Sequence, residues 1–162
     1  MVKQLKRTET NTIKKTISDQ FGIDKKDLDF LDNLEFIESS KDRISIISKL
    51  DENLSKLRVE GGALYIGRFQ KDNGFRLSIE GSIMFGKFAK KNIIDLTEKQ
   101  LNEWMKGYDL EIKEEQIANI ENHSYILLRF REYFVGSSKL KNNEIKCTVP
   151  KERRLLSKKF IV

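Results

Sequence analysis

The apolar positions change period several times along the chain, and each change marks an element. Ile13, Ile17 and Phe21 recur at i, i+4 and i+8. That spacing predicts one apolar helix face, capped at Thr10 or Asn11 and stopped by Gly22. Residues 24–33 are acidic and mixed. Phe36 and Ile37 sit in a predicted strand over 34–38. Ile44-Ser45-Ile46-Ile47-Ser48, rich in β-branched residues, predicts another. A short helix is expected over 49–57. The middle reads as a β-meander. Leu57-Arg58-Val59 leads into a Gly61-Gly62 turn, and Ala63 to Phe69 follows. Asn73-Gly74 is a strong hairpin signal, because both central residues of a two-residue turn need positive φ. Phe75 to Gly81 returns in alternation, with Phe75, Leu77 and Ile79 on one side and Arg76, Ser78 and Glu80 on the other.

The stretch from Gly86 to Asn92 turns to lysine and reads as a boundary. Thr97 and Gln100 then form a capping box. Leu101, Trp104, Met105 and Tyr108 make an apolar helical stripe, which Gly107 terminates. Leu110 and Ile112 suggest a strand, and 113–123 is a polar loop. Three strands are expected over 124–130, 133–140 and 144–149, with Asn142-Asn143 turning the last pair. Pro150, the only proline, ends the final strand. There is no fixed-period repeat. The residues alone therefore read as two small modules of mixed helix and strand, 1–92 and 93–162.

Composition narrows the class. No run approaches the roughly 20 apolar residues of a membrane span. No leader-like segment follows the first charges, and the single cysteine forbids an internal disulfide. A cytoplasmic protein with no membrane partner is the expectation. The net charge of +6 is concentrated late. Residues 139–159 hold eight basic groups (Lys139, Lys141, Lys146, Lys151, Arg153, Arg154, Lys158 and Lys159) against Glu144 and Glu152. A basic stretch of this kind is either a solvated tail or an anion-binding face.

Catalytic chemistry is sparse. His123 stands alone in a polar loop, and one Cys with one His cannot form a zinc constellation. Cys147 alternates with Ile145 and Val149, so a small core residue is the better account than a nucleophile without a base. Gly61, Gly62 and Gly67 fit no phosphate-loop or dinucleotide spacing. Glu111, Glu114 and Glu115 read as a solvated loop. Basic and aromatic residues interleave at Arg68-Phe69, Phe75-Arg76, Phe85 to Phe88, and Tyr125 to Tyr133. Phe69, Phe75, Phe88 and Phe130 are expected in the core. The arginines opposite them are left as candidate phosphate ligands.

The second half also carries a family resemblance. Trp104-Met105-Lys106-Gly107-Tyr108-Asp109 is followed by the strand Ser124 to Phe130, by Phe134-Val135-Gly136-Ser137-Ser138-Lys139-Leu140-Lys141, and by Val149-Pro150-Lys151-Glu152-Arg153-Arg154-Leu155. This resembles a PUA-type RNA-binding domain. It is similar in particular to the C-terminal extension of Sun/Fmu-family RNA cytosine-5 methyltransferases, in which W-x-x-G, G-x-G-[KR] and N-x-[VL]-P-[KR]-x-x-R motifs follow in that order. Small archaeal proteins of this kind stand alone without the catalytic domain. Ser138 replaces a usual glycine, and Cys147 stands near the expected asparagine. From Gly67-Arg68-Phe69 through Ile79, the first half is similar to the module preceding the PUA domain in Nip-family ribosome-biogenesis factors.

The resemblance implies an α+β protein, with an N-terminal α/β-mixed pre-PUA module followed by a C-terminal PUA-like pseudo-barrel of mixed β-strands. It implies binding of structured RNA (rRNA or tRNA) in RNA modification or ribosome biogenesis. The expected contacts are Lys106, Gly107 and Tyr108 at the helix end, Lys139 and Lys141 on the strand, and Lys151, Arg153 and Arg154 after Pro150. Arg68 and Arg76 extend the face. The Pro-Cys pair and glycine-rich S-adenosylmethionine pocket of those enzymes are missing, since Lys151 follows the proline and Cys147 follows Lys146. No catalytic residue, metal or cofactor is therefore expected. The alternative is an accessory subunit of a separate S-adenosylmethionine-dependent methyltransferase. A methyltransferase with an unrecognised site is the remaining reading.

Overall fold

The computed structural model describes residues 3–39, 42–49 and 62–156. The expected helix over 49–57, the Leu57-Arg58-Val59 segment, Gly61, Lys158 and Lys159 lie outside the described residues, apart from Lys49 at the start of that helix. Helix α1 spans Arg7–Phe21 and buries Ile13, Ile17 and Phe21, as their spacing requires. It begins before the expected Thr10 or Asn11, because the Glu9 carboxylate reaches back to accept the Lys6 N–H at 2.8 Å. Gly22 ends it in the left-handed region at φ 64°. A 3₁₀ run over Lys25–Asn33 then buries Leu28 and Leu31.

The first sheet comprises β1 (Lys3–Gln4), β2 (Leu34–Ser39), β3 (Arg43–Ser48), β4 (Leu64–Phe69) and β5 (Phe75–Leu77), in that spatial order. All neighbours are antiparallel, and β4 with β5 forms the described part of the expected meander. Phe36, Ile44, Ile46, Ile66, Phe75 and Leu77 turn inward and join the apolar face of α1. Each such side chain contributes about 1.5–3 kcal/mol by leaving water.

Two expectations fail here. The β4–β5 hairpin is not closed by a two-residue Asn-Gly turn. The Asn73 N–H donates to Gln70 O (3.0 Å) and the Gln70 N–H to Gly74 O (2.8 Å), with only Asn73 of the pair at positive φ. Gly74 is needed for another reason: a Cβ there would collide with the Tyr125 ring. The strand expected to run from Phe75 to Gly81 also stops at Leu77. Ser78 caps helix α2 (Ile79–Gly86), its Oγ accepting the Gly81 N–H at 2.9 Å. Gly81 and Gly86 lower helix propensity. They let α2 lie directly on the Ile66 carbonyl and the Phe134 ring, where any Cβ would clash.

The second sheet has the order β6-β8-β9-β10-β7, from β6 (Ile93–Asp95), β7 (Leu110–Glu111), β8 (Tyr125–Phe130), β9 (Tyr133–Lys141) and β10 (Glu144–Ile145). It mixes a parallel β6–β8 pair with antiparallel neighbours and curls into a half-barrel, which makes the fold α+β as expected. Helix α3 (Glu98–Met105) packs Trp104 into the core. Its capping box is present, with Thr97 and Gln100 exchanging bonds of 3.0 and 3.2 Å. The Trp104 indole N–H donates to Val135 O at 3.1 Å, and the ring lies against Gly136. Tyr108 does not extend the apolar stripe. The helix ends at Met105, Gly107 turns the chain at φ 92°, and Tyr108 is left 61% exposed.

The last strand is also shorter than expected. Beyond Ile145, side chains replace the ladder: Asp109 accepts the Cys147 N–H (2.8 Å), Ser138 Oγ donates to Lys146 O (2.8 Å) and Thr148 Oγ1 to Ser137 O (2.9 Å). Pro150 therefore follows an irregular stretch and does not terminate a strand. Asn142 and Asn143 both take positive φ and make the expected tight turn.

The sheets meet along β8. Tyr125 and Leu127 join the core of the first sheet, while Ile126 and Leu128 join that of the second. Burial on both faces explains the continuous apolar run Tyr125-Ile126-Leu127-Leu128. No helix among the described residues is long and apolar enough to cross a membrane.

Candidate nucleic-acid interface

The sequence-predicted contacts fall in three places. The first is the end of α3. Gly107 is held at φ 92°, and the Arg154 side chain lies where its Cβ would be. The Leu155 N–H donates to Met105 O at 2.9 Å, and Arg154 Nε donates to Val149 O at 3.1 Å. Lys106, Gly107 and Tyr108 are thus brought beside Arg154, although 46 residues separate Tyr108 from it in the chain. Lys151 and Arg153 lie on the 3₁₀ turn Lys151–Arg153 that leads into this contact.

The second place is the outer face of the first sheet. Arg68 on β4 is directly opposite Arg76 on β5, and Arg43 on β3 is directly opposite Arg68. Strands lie about 4.8 Å apart, so three guanidinium groups share one cross-strand row. Arg153 reaches the same cleft, of about 370 Å³, which is also lined by Tyr65, Ser78, Glu80, Thr148 and Pro150. Arg153 is paired with Glu80, and the Arg43 guanidinium lies 4.2 Å from the centre of the Tyr65 ring. Sequence reasoning missed Arg43. Its alternation with Ile44 and Ile46 shows the face it occupies, but only the strand register aligns it with Arg68.

The third place holds the two β9 lysines. Lys139 pairs with Asp72 and lies over the Tyr125 ring at 5.4 Å. Asp72 also accepts the Tyr125 hydroxyl at 2.7 Å and the Gly74 N–H at 3.2 Å. The Lys139 ammonium, followed by the Tyr125 hydroxyl, holds the Asp72 carboxyl down to about 2. Burial and the neighbouring Asp72 push the Tyr125 phenol up, so it remains a donor. Lys141 is exposed at the far end of β9, about 25 Å along the strand from Tyr133 beside the arginine cleft. Lys146 pairs with Asp109 and Glu144. The six described basic groups of 139–159 therefore do not share one face.

The remaining candidates stay quiet. His123 is exposed in its loop at φ 68°. The Cys147 thiol is half-buried beneath Trp104, and burial pushes its pKa up, which leaves it a poor nucleophile. Glu111, Glu114 and Glu115 are exposed, and no group of three metal-ligating side chains occurs among the described residues. Phe75 is fully buried, Phe69 and Phe88 pack partly buried on the first core, and Phe130 is half-exposed.

A mixed half-barrel closed by a capped helix, with a basic segment folded back onto the helix end, defines a PUA-like domain. Comparison with protein families makes this specific. Residues 91–155 match the model of the methyltransferase RsmF PUA domain, so the chain carries a PUA domain resembling the Sun/Fmu C-terminal region. A PUA domain of a methyltransferase family implies RNA binding. No curated protein matches the chain.

Proposed function

We propose that this is an RNA-binding protein of rRNA or tRNA modification or ribosome biogenesis, without a catalytic site of its own. It acts in the cytoplasm, beside a separate RNA-modifying enzyme. In this reading residues 1–92 are a pre-PUA module and 93–162 the PUA-like RNA-binding domain. The observation that carries it is the apposition of Gly107 and Arg154. Without a Cβ, the glycine turn lets the Arg154 side chain lie across the helix end, where Nε is held by Val149 O and the terminal nitrogens of the guanidinium are offered to a phosphate. Tyr108, exposed next to both, supplies a ring for a base or ribose.

The test is binding to tRNA and rRNA fragments across a salt series, with a Lys151/Arg153/Arg154→Ala variant alongside. The expected log–log slope is steeper than about −3, falling by roughly 2 in the variant. The reduction is kept below three because Arg153 already has Glu80 as a partner. An unchanged slope would remove the proposed face.

The second reading, an accessory subunit of a methyltransferase, draws support from an apolar groove. Ile83 (57% exposed) and Tyr133 (62% exposed) stand over it with Met105 and Val135. Co-purification of a catalytic protein that is lost in Ile83→Asp would favour that reading.

A further inference from the structure

The arginine row has a cost that no described carboxylate offsets. Like charges directly opposite on neighbouring strands destabilise a sheet. Here Arg43, Arg68 and Arg76 occupy three successive strands, and none has a carboxylate partner among the described residues. Arg68 Nε is shielded from solvent and has no hydrogen-bond partner among them. Three other polar side chains of the cleft are already engaged. Ser78 Oγ donates to Tyr65 O (2.6 Å), Thr148 Oγ1 donates to Ser137 O (2.9 Å) and Glu80 holds Arg153. The cleft is then lined by these planar cationic donors, which outnumber the one exposed carboxylate, Glu152, and have the geometry that binds phosphate oxygens in pairs.

The cleft is continuous with the apolar groove. Ile79 and Arg153 line both, and the groove, of about 360 Å³, adds Ile83, Met105, Tyr133, Phe134 and Val135, with Lys87 and Glu132 beside them. One side is cationic and polar, and the other is mainly apolar with an exposed aromatic ring. A nucleotide whose base is unpaired has this same division, whereas a base held in a duplex is not available to the groove.

We propose that the arginine cleft and its adjoining groove bind one unpaired nucleotide of an RNA strand. The phosphate lies against Arg68, Arg76 and Arg43, and the base lies against Tyr133. This rests on the RNA-binding reading and adds to it a strand-selective subsite away from the Gly107–Arg154 contact.

The test combines two measurements on the full chain. Fluorescence anisotropy compares a short single-stranded RNA with the same RNA in a duplex. Thermal unfolding compares inorganic phosphate with sodium chloride at equal ionic strength. Wild type is expected to bind the single strand more tightly than the duplex and to be raised in Tm by phosphate. Arg68→Gln and Arg76→Gln should each weaken single-strand binding by roughly tenfold, about 1.4 kcal/mol, and abolish the phosphate-induced rise. Their Tm without ligand should equal or exceed that of wild type, because like-charge repulsion is relieved. Tyr133→Ala should weaken single-strand binding while retaining the phosphate response. Equal affinity for duplex and single strand overturns the proposal, as does a phosphate response that survives in both arginine variants. If wild type binds neither RNA but keeps a phosphate response that the arginine variants lose, the RNA reading itself fails and the cleft is left as a site for free phosphate. Salt-sensitive RNA binding unchanged in Arg68→Gln and Arg76→Gln sinks this inference alone.

Discussion

Two polar sites lie where the sheets adjoin, and they treat charge in opposite ways. At the β4–β5 turn, Asp72 collects Lys139, the Tyr125 hydroxyl and the Gly74 N–H, so one carboxylate balances one ammonium and accepts from two further donors. On the outer face of the same sheet, Arg43, Arg68 and Arg76 are aligned across β3, β4 and β5 with no ion-paired carboxylate among the described residues. The first site uses charge to fasten one sheet to the other. The second leaves its charge without a described acid, and the proposed nucleotide would meet it there. A basic residue's position in the chain does not distinguish these roles, but its partners do. Lys139, a candidate RNA contact by its place in the basic stretch, also takes part in the fastening.

The comparison can be broken most forcefully at Gly74. Gly74→Ala drives a methyl group into the Tyr125 ring and should lower stability by roughly 2–3 kcal/mol in chemical denaturation. An effect within error would mean that the hairpin is not held against β8. Asp72→Asn probes the charge itself. At this half-exposed site solvent screening limits the expected loss to about 1 kcal/mol at neutral pH. Because folding lowers the Asp72 carboxyl from 3.8 to about 2, its contribution is complete above pH 3.8 and fades as pH falls through about 2. Denaturation curves of wild type and Asp72→Asn should therefore converge in that interval and stay separate above it. Arg76→Glu sharpens the other side. It places an acid opposite Arg68 and should raise stability by roughly 0.5 kcal/mol while eliminating single-strand RNA binding. A stability loss there would show that the row is already compensated. The smallest structural effect belongs to Tyr108→Ala, which should change stability by less than about 0.5 kcal/mol yet weaken RNA binding in the anisotropy assay.

Elements governed by local rules were legible in the sequence. The Thr97–Gln100 box, the Ile13-Ile17-Phe21 face, the Asn142-Asn143 turn and the apolar run of β8 each follow from residues within a few positions of one another. Helix α2 was not legible, because Ser78 and Ile79 continue the alternation of β5 past the point where the backbone changes. β6 was not legible either. Three residues show no period, and their strand conformation depends on parallel pairing with Leu127, Leu128 and Arg129. Of the candidate interface, the helix end was readable as residues but not as a place, since Gly107 meets Arg154 only through tertiary folding. The arginine row depends on register across three strands and a bulge between Ile44 and Ser45, which no local pattern encodes.

The lysine-rich stretch before Ile93 looks in sequence like a joint that a protease would find. In the folded chain it is stitched to the end of α1. The Lys90 and Lys91 N–H groups both donate to Phe21 O (2.8 and 3.2 Å), and the Asn92 amide donates to Gln20 O at 2.6 Å. Cleavage by trypsin requires several residues of extended backbone to be lifted into its active site, and here those residues are already committed. Limited digestion should pass over Lys90 and Lys91 while cutting elsewhere. The midpoint of this chain would then act as a splice that keeps both halves in one frame, and a strand of RNA reaching from the arginine row to the end of α3 would meet a single ruler of fixed length.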